Sequence, residues 1–155
     1  MSTSPGVLTE QWNITYTHAT GPIAGEFFRR LQEEAVLVGR HCPKCDRVLM
    51  PPRAFCDRDY VDTDRWVEVG NRGVIETFTV VYQKFQGLPD PPYCIAYVRL
   101  EGADTAVLNY VRGVDVATPE AVRRGLRIGT PVRVAFAHEG ERQGRVTDFW
   151  FEVEG

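Results

Sequence analysis

The 155-residue chain predicts a mainly β fold: an N-terminal helix, a short metal-binding ribbon and a five- to six-stranded barrel of the OB type. Three observations carry this prediction. Apolar residues recur at helical spacing near the N-terminus, three of the four cysteines follow within fifteen residues, and the remainder is rich in β-branched and aromatic runs separated by glycine and proline. We place an arm and helix at residues 1–38, the ribbon at 39–64 and the barrel at 65–155.

The helix is expected over residues 23–38, because its apolar residues fall on one face of a 3.6-residue period. Phe27, Phe28 and Leu31 lie on this face. The face can pack on the chain's own body or on another subunit, and we name these three residues as candidate partner contacts.

An apolar arm precedes the helix. Trp12 and Tyr16 alternate with polar residues, as in a short strand or an extended segment. Such a segment either packs back on its own domain or docks on a partner, so both aromatic residues are further candidate contacts.

The cysteines have the spacing of a metal-binding ribbon. Cys42 and Cys45 are separated by two residues, which lets both thiolates reach one ion from a tight turn. After ten intervening residues, Cys56 and Asp59 repeat this spacing, with aspartate where a second cysteine is expected. Structural zinc takes four tetrahedral ligands, usually thiolates or imidazoles but also carboxylates. These four residues are therefore the predicted ligands of a structural Zn²⁺.

Different ligand sets stay open at this point. His41 and Asp57 are alternative fourth ligands, although each is adjacent to a ligand cysteine. Cys94 lies in a predicted strand, where a lone thiol is usually part of the core. Water can complete a three-ligand site, and the ribbon can keep its shape by apolar packing without any metal.

The barrel is predicted from six apolar runs and their turns. Thr118 followed by Pro119 marks the start of a short helix, with threonine as N-cap and proline in the first turn. Three prolines among residues 89–92 exclude a strand there. The strands are expected at residues 65–69, 74–84, 93–100, 105–111, 131–138 and 145–152.

Charge and hydropathy exclude several classes of protein. The net charge is −3, whereas nucleic-acid binding usually needs a basic face that neutralises phosphates. No apolar run approaches the roughly 20 residues of a membrane span, and no secretory signal opens the chain. We therefore expect a cytoplasmic protein that binds neither nucleic acid nor membrane.

Several motifs follow one another along the chain in a characteristic order. They are Gly39-Arg40-His41-Cys42-Pro43-Lys44-Cys45, Pro51-Pro52-Arg53 with Cys56, Trp66-Val67-Glu68-Val69, Pro89-Asp90-Pro91-Pro92-Tyr93 and Gly129-Thr130-Pro131-Val132. This series resembles the family of OB-fold proteins with an N-terminal, rubredoxin-like zinc ribbon, long filed as a domain of unknown function and associated with acyl-CoA metabolism. The resemblance covers roughly residues 23–153.

The resemblance implies an accessory subunit. Members of the family assemble with thiolases, thiolase-like aldolases, hydroxymethylglutaryl-CoA synthase or hotdog-fold hydratases, and the partner supplies the chemistry. The ribbon and helix are then expected to dock on the catalytic subunit, in a heterotetramer or larger complex, while the barrel helps to shape the site for the CoA thioester. Asp59 departs from the family, whose fourth position is commonly cysteine.

The sequence offers no catalytic site of its own, because no histidine is paired with a serine or cysteine in a known motif. The expected function is a non-catalytic subunit of a thiolase-type complex acting on a 3-oxoacyl-CoA. Phe85 and Tyr93, in a proline-rich loop, are candidate contacts to partner or ligand. Two different functions compete with this one: a subunit of an acyl-CoA hydratase or aldolase complex and, from another class, an OB-fold nucleic-acid-binding module.

Overall fold

A computed structural model describes residue 15 and residues 17–154. The predicted contacts Trp12 and Tyr16 lie outside the described residues. Two 3-10 turns, Glu139–Glu141 and Val146–Asp148, accompany the regular elements. These elements are α1 (Gly21–Glu34), β1 (Val38–His41), β2 (Val48–Leu49), β3 (Trp66–Glu68), β4 (Arg72–Val81), β5 (Tyr93–Leu100), β6 (Val107–Arg112), α2 (Pro119–Gly125), β7 (Pro131–Phe136) and β8 (Phe149–Val153).

Five strands close into a barrel in the order β4-β5-β6-β8-β7. Adjacent strands of the barrel are antiparallel, except that β6 and β8 are parallel. The pairing of β4 with β7 closes the barrel. The short helix α2 connects β6 to β7, and the Thr118 hydroxyl caps it by accepting a hydrogen bond from the amide of Ala121 at 3.2 Å. The predicted mainly β fold, with an N-terminal helix, a ribbon and an OB-type barrel, is confirmed.

The strand β3 belongs to a second sheet and not to the barrel. We predicted that residues 65–69 form the first barrel strand, but β3 pairs with β1 in a three-stranded sheet of order β2-β1-β3. The position beside β4 is already taken, because β4 pairs with β5 on one side and with β7 on the other.

Two other predicted elements have different bounds in the structure. The helix stops at Glu34 rather than near residue 38, because Ala35 takes a left-handed φ of 53° and the chain then enters β1. The last strand begins at Phe149 rather than at residue 145. The Asp148 carboxylate accepts hydrogen bonds from the amides of Gln143 and Arg145, and these hold the preceding residues in a turn.

One continuous apolar core joins the helix, the ribbon and the barrel. Leu31 of α1 and Met50 beyond β2 are fully buried in the same cluster as Val98 and Phe151 of the barrel. Thr105 strengthens this junction, since its hydroxyl accepts a hydrogen bond from the Met50 amide and donates one to the Met50 carbonyl, each at 2.7 Å. The ribbon is therefore fixed against the barrel by packing as well as by hydrogen bonds.

Gly73 provides a test of the packing between β4 and β5. A Cβ atom at this position would lie 3.0 Å from the Leu100 Cα atom and closer still to the Arg99 carbonyl oxygen. We expect Gly73→Ala to lower the free energy of unfolding by about 1–3 kcal/mol, because the two backbones must move apart. Gly140→Ala is the control, since a Cβ there meets none of the described residues within 4 Å. Urea denaturation of both variants measures the difference, and equal midpoints would contradict the packing described.

Candidate metal centre

Two turns with the same backbone hold the candidate ligands. The first spans residues 42–45 directly after β1, and the second spans residues 56–59. After each turn the next amide, that of Asp46 or Tyr60, donates to the carbonyl of the turn's first cysteine at 3.0 Å or 2.9 Å. Asp46 and Tyr60 also share a left-handed φ, of 60° and 56°. The backbone therefore places Asp59 where the first turn has its second cysteine.

The four side chains of Cys42, Cys45, Cys56 and Asp59 converge on one point, with one ligand atom of each within 4.8 Å of the others. The Sγ atoms of Cys45 and Cys56 are 3.8 Å apart. The Asp59 Oδ2 atom lies 3.6 Å from Cys42 Sγ and 3.5 Å from Cys56 Sγ. A tetrahedron with Zn–S bonds of about 2.3 Å has edges of about 3.8 Å, and edges to a carboxylate oxygen are slightly shorter. The arrangement fits a tetrahedral zinc ion.

The protonation of these groups is already biased by their surroundings. Burial raises the pKa of the Cys42 thiol. Burial also acts to raise the pKa of Cys56, but hydrogen bonds from the Asp59 and Arg58 amides and from the Arg47 and Cys42 side chains together make the net shift downward. A hydrogen bond from Cys45 lowers the pKa of Asp59 most. A zinc ion held here would be bound by thiolates and a carboxylate, and its binding would release thiol protons.

His41, a possible fourth ligand in the sequence, is committed to different partners. Its buried ring lies between two carboxylates, with Nε2 at 2.7 Å from Asp46 Oδ1 and Nδ1 at 2.7 Å from Asp64 Oδ1. Asp46 and then Asp64 raise the pKa of the imidazole. Because both ring nitrogens face carboxylates, His41 ties the first turn to the far end of the ribbon.

Asp57 and Cys94 lie apart from the four converging side chains. The Asp57 carboxylate pairs with Arg47 and Arg53, each at 3.4 Å. Cys94 is buried in β5, and burial raises the pKa of its thiol to about 11, as expected of a core cysteine. Neither residue is therefore a ligand of this site.

The predicted contacts on α1 divide into buried and accessible residues. Leu31 has no exposed area and Phe27 is 7% exposed, because both pack in the core. The burial of Leu31 corrects the prediction that it contacts a partner, since the apolar face of α1 covers the chain's own core. Phe27 also lines a groove at the surface and stays a candidate contact. Phe28 is half-buried at the edge of this core.

The proline-rich loop keeps its candidate contacts near the surface. Phe85 is half exposed, and an ion pair between Lys84 and Asp90 joins the two sides of the loop. Tyr93, at the start of β5, is half-buried and makes an edge-to-face contact with Tyr110, with ring centroids 5.7 Å apart. Phe85 is therefore the more accessible of the two.

An apolar groove that we did not predict lies where α1, the turn after β2 and the outer face of β5 and β6 meet. It has a volume of about 380 Å³. Tyr97 and Leu108 are paired across β5 and β6 and remain 46% and 39% exposed, and Val146, at 49%, lies beside them. Phe28 and Pro52 also line the groove. The sequence signal was an apolar residue at an outward position in each of two adjacent strands.

Within the described part of the chain, no helix has the length and apolar character needed to cross a membrane.

Among curated proteins, no sequence matches the chain. The solved structures that are similar to it in fold include the following two. A DUF35-family protein of unknown function from Sulfolobus solfataricus superposes with a TM-score of 0.62 at 20% identity, over 86% of this chain and 87% of that chain. A chain of the Ltp2-ChsH2(DUF35) aldolase gives a TM-score of 0.59 at 20% identity, over 83% and 93%.

Two family models match consecutive parts of the sequence. The rubredoxin-like zinc ribbon domain of ChsH2 matches residues 33–63, and the C-terminal OB-fold domain of ChsH2 matches residues 66–137. The family recognised in the sequence is thereby confirmed, and the ribbon match supports a structural zinc in the converging cysteine site. The chain belongs to the family of ChsH2-type proteins, in which a rubredoxin-like zinc ribbon precedes an OB-fold domain.

Proposed function

We propose that this protein is a non-catalytic accessory subunit that docks on a thiolase-like catalytic subunit and helps to shape its acyl-CoA site. The observation that carries the proposal is the apolar groove beside α1 (Phe28, Pro52, Tyr97, Leu108 and Val146). Exposed apolar side chains that are grouped on one surface of a folded domain are characteristic of protein interfaces.

The charges around the groove agree with docking through this surface. The outward face of α1 is occupied by ion pairs, with Arg29 bound to Glu26 and Glu33 and Arg30 bound to Glu26. Among the described residues that line the groove beside it, Arg53 is the one that carries a charge. A partner that covers the groove therefore removes apolar surface from water without desolvating the charged face of the helix.

The proline-rich loop is the element we assign to the partner's acyl-CoA site. Phe85 and Leu88 are each about half exposed at its tip. A loop that presents two apolar side chains beyond the barrel can form part of the wall of an acyl site on a neighbouring subunit. In this proposal CoA thioester is a ligand of the complex, and the catalytic subunit supplies the reacting groups.

Two reactions fit such a complex. One is the thiolytic cleavage of a 3-oxoacyl-CoA, which is the reaction expected of a thiolase partner. The other is an aldolase reaction on an acyl-CoA, and the fold similarity to a chain of the Ltp2-ChsH2(DUF35) aldolase favours it. In both cases the partner is the enzyme and this chain is its accessory subunit, in a heterotetramer or larger assembly.

Co-expression with the products of the neighbouring genes, followed by co-purification, tests the proposal. We expect a stable complex, and we expect thiolase or aldolase activity that depends on the presence of this chain. The two assays on the same complex distinguish the two reactions. A chain that purifies alone as a monomer and binds single-stranded DNA with strong salt dependence would instead support a nucleic-acid-binding module.

A further inference from the structure

Arg47 reaches across the candidate zinc site from the residue after Asp46. Its Nε atom lies 3.3 Å from Cys45 Sγ, and its Nη2 atom lies 3.3 Å from Cys56 Sγ. One edge of the guanidinium thus faces two ligand sulfurs that come from different turns. The Nη2 atom also lies 3.4 Å from Asp57 Oδ1.

The negative charge of the zinc-loaded site makes the contact with Arg47 favourable. Three thiolates and one carboxylate around Zn²⁺ leave a net charge of −2. Cys42 and Cys56 are buried, and uncompensated charge is costly away from water. The Arg47 side chain is 21% exposed, so its positive charge acts on the sulfurs at short range and is only partly screened.

We propose that Arg47 is a positioning residue of the zinc centre, holding the sulfurs of Cys45 and Cys56 at metal-binding spacing and strengthening zinc binding. The proposal rests on the zinc site itself and goes beyond the four ligands. The N–H groups of Arg47 donate hydrogen bonds to the sulfurs in their thiolate state. The positive charge of the guanidinium reduces the net charge of the zinc-loaded centre to −1.

The geometry requires arginine rather than any cation. Two parallel N–H donors fixed in one plane match two acceptor atoms 3.8 Å apart. A lysine ammonium is a single point charge on a flexible stem and does not reproduce this fork. Arg58 offers a matched comparison, since it lies in the second turn with an exposed side chain, and its backbone amide is the group that faces Cys56.

Zinc dissociation constants from chelator competition, measured on the full chain, test this role. We expect Arg47→Gln to weaken zinc binding by about 10- to 100-fold, the range typical of groups that support metal ligands. Arg47→Lys should lose at least about threefold, because it keeps the charge but not the fork. Arg58→Gln, which removes the same charge from the same ribbon, should stay within about threefold of the wild type.

A second readout keeps the test decisive if Arg47→Gln does not load zinc. The rate of zinc release to a chromogenic chelator from Arg47→Lys is then compared with that of the wild type, and faster release is expected. Wild-type affinity and release in Arg47→Lys, or equal losses in Arg47→Gln and Arg58→Gln, would overturn the proposal. A wild-type chain that binds no zinc would instead contradict the metal centre itself.

Discussion

Replacing Asp59 with alanine is expected to weaken zinc binding by more than about 100-fold, which exceeds the effect of most residues that only support a ligand. Asp59 Oδ2 lies within 3.6 Å of two ligand sulfurs, and the second turn places it where the first turn has Cys45. Removing the carboxylate leaves three protein ligands, and water is a poorer fourth ligand for a structural zinc. Metal analysis after dialysis measures the zinc content of the variant, and chelator competition measures its zinc affinity.

Asp57 supplies the matched control, because it lies on the same turn and carries the same charge. Its carboxylate is directed to Arg47 and Arg53 rather than to the sulfurs. We expect Asp57→Ala to retain zinc with nearly wild-type affinity, and Asp59→Cys to restore or strengthen binding by completing a four-thiolate site. Unchanged zinc stoichiometry and affinity in Asp59→Ala would remove Asp59 from the set of ligands.

The same substitution has a consequence for stability. A ligand that binds only the folded state stabilises it in proportion to the logarithm of its affinity, so a 100-fold loss corresponds to about 2.7 kcal/mol at saturating zinc. The difference between wild type and Asp59→Ala should therefore shrink when both are measured with excess chelator. A difference that persists without metal would assign Asp59 a role in the apo fold.

The sequence predicted the four side chains that converge in the candidate metal site, because the determinants of that convergence are local. The two-residue gaps that bring Cys42 next to Cys45 and Cys56 next to Asp59 fix each pair within one turn, so spacing alone is informative. The cap of α2 was equally local, since Thr118 and the following proline carry the signal. His41 shows where this reasoning reaches its limit. Its partner Asp64 is 23 residues away and is brought there by the return of the chain.

The elements that sequence reasoning misplaced depend on distant pairing. The strand β3 has the composition of a barrel strand. The barrel is closed and offers no free edge, so β3 pairs with β1 in the other sheet. Leu31 has helical spacing that suits an external or an internal interface equally, and only the packed core shows that it is internal. Arg47 offered no motif at all, because its two sulfur contacts join separate turns.

The apolar groove leads to the second large prediction, in which Leu108→Asp weakens association with the catalytic subunit by at least about 30-fold. Leu108 faces outward from β6 beside Tyr97, and its side chain is 39% exposed, so the barrel itself should tolerate the change. A carboxylate in the centre of an apolar interface must be desolvated without a partner on binding. A loss of at least about 2 kcal/mol is typical of a central interface residue, and it corresponds to about a 30-fold weaker complex.

Ile128→Asp is the control for the groove, because Ile128 is 72% exposed and does not line it. Both variants place a carboxylate at an exposed aliphatic position, so a general effect of charge or solubility should affect them equally. Affinity for the purified catalytic subunit and co-purification from cells measure the difference, while urea denaturation verifies that each variant folds. If Leu108→Asp binds as well as Ile128→Asp, the groove is not the docking surface and the partner must bind another face. The loop that carries Phe85 and Leu88 is then the next surface to test, because both of these apolar side chains are exposed and lie close together in the sequence.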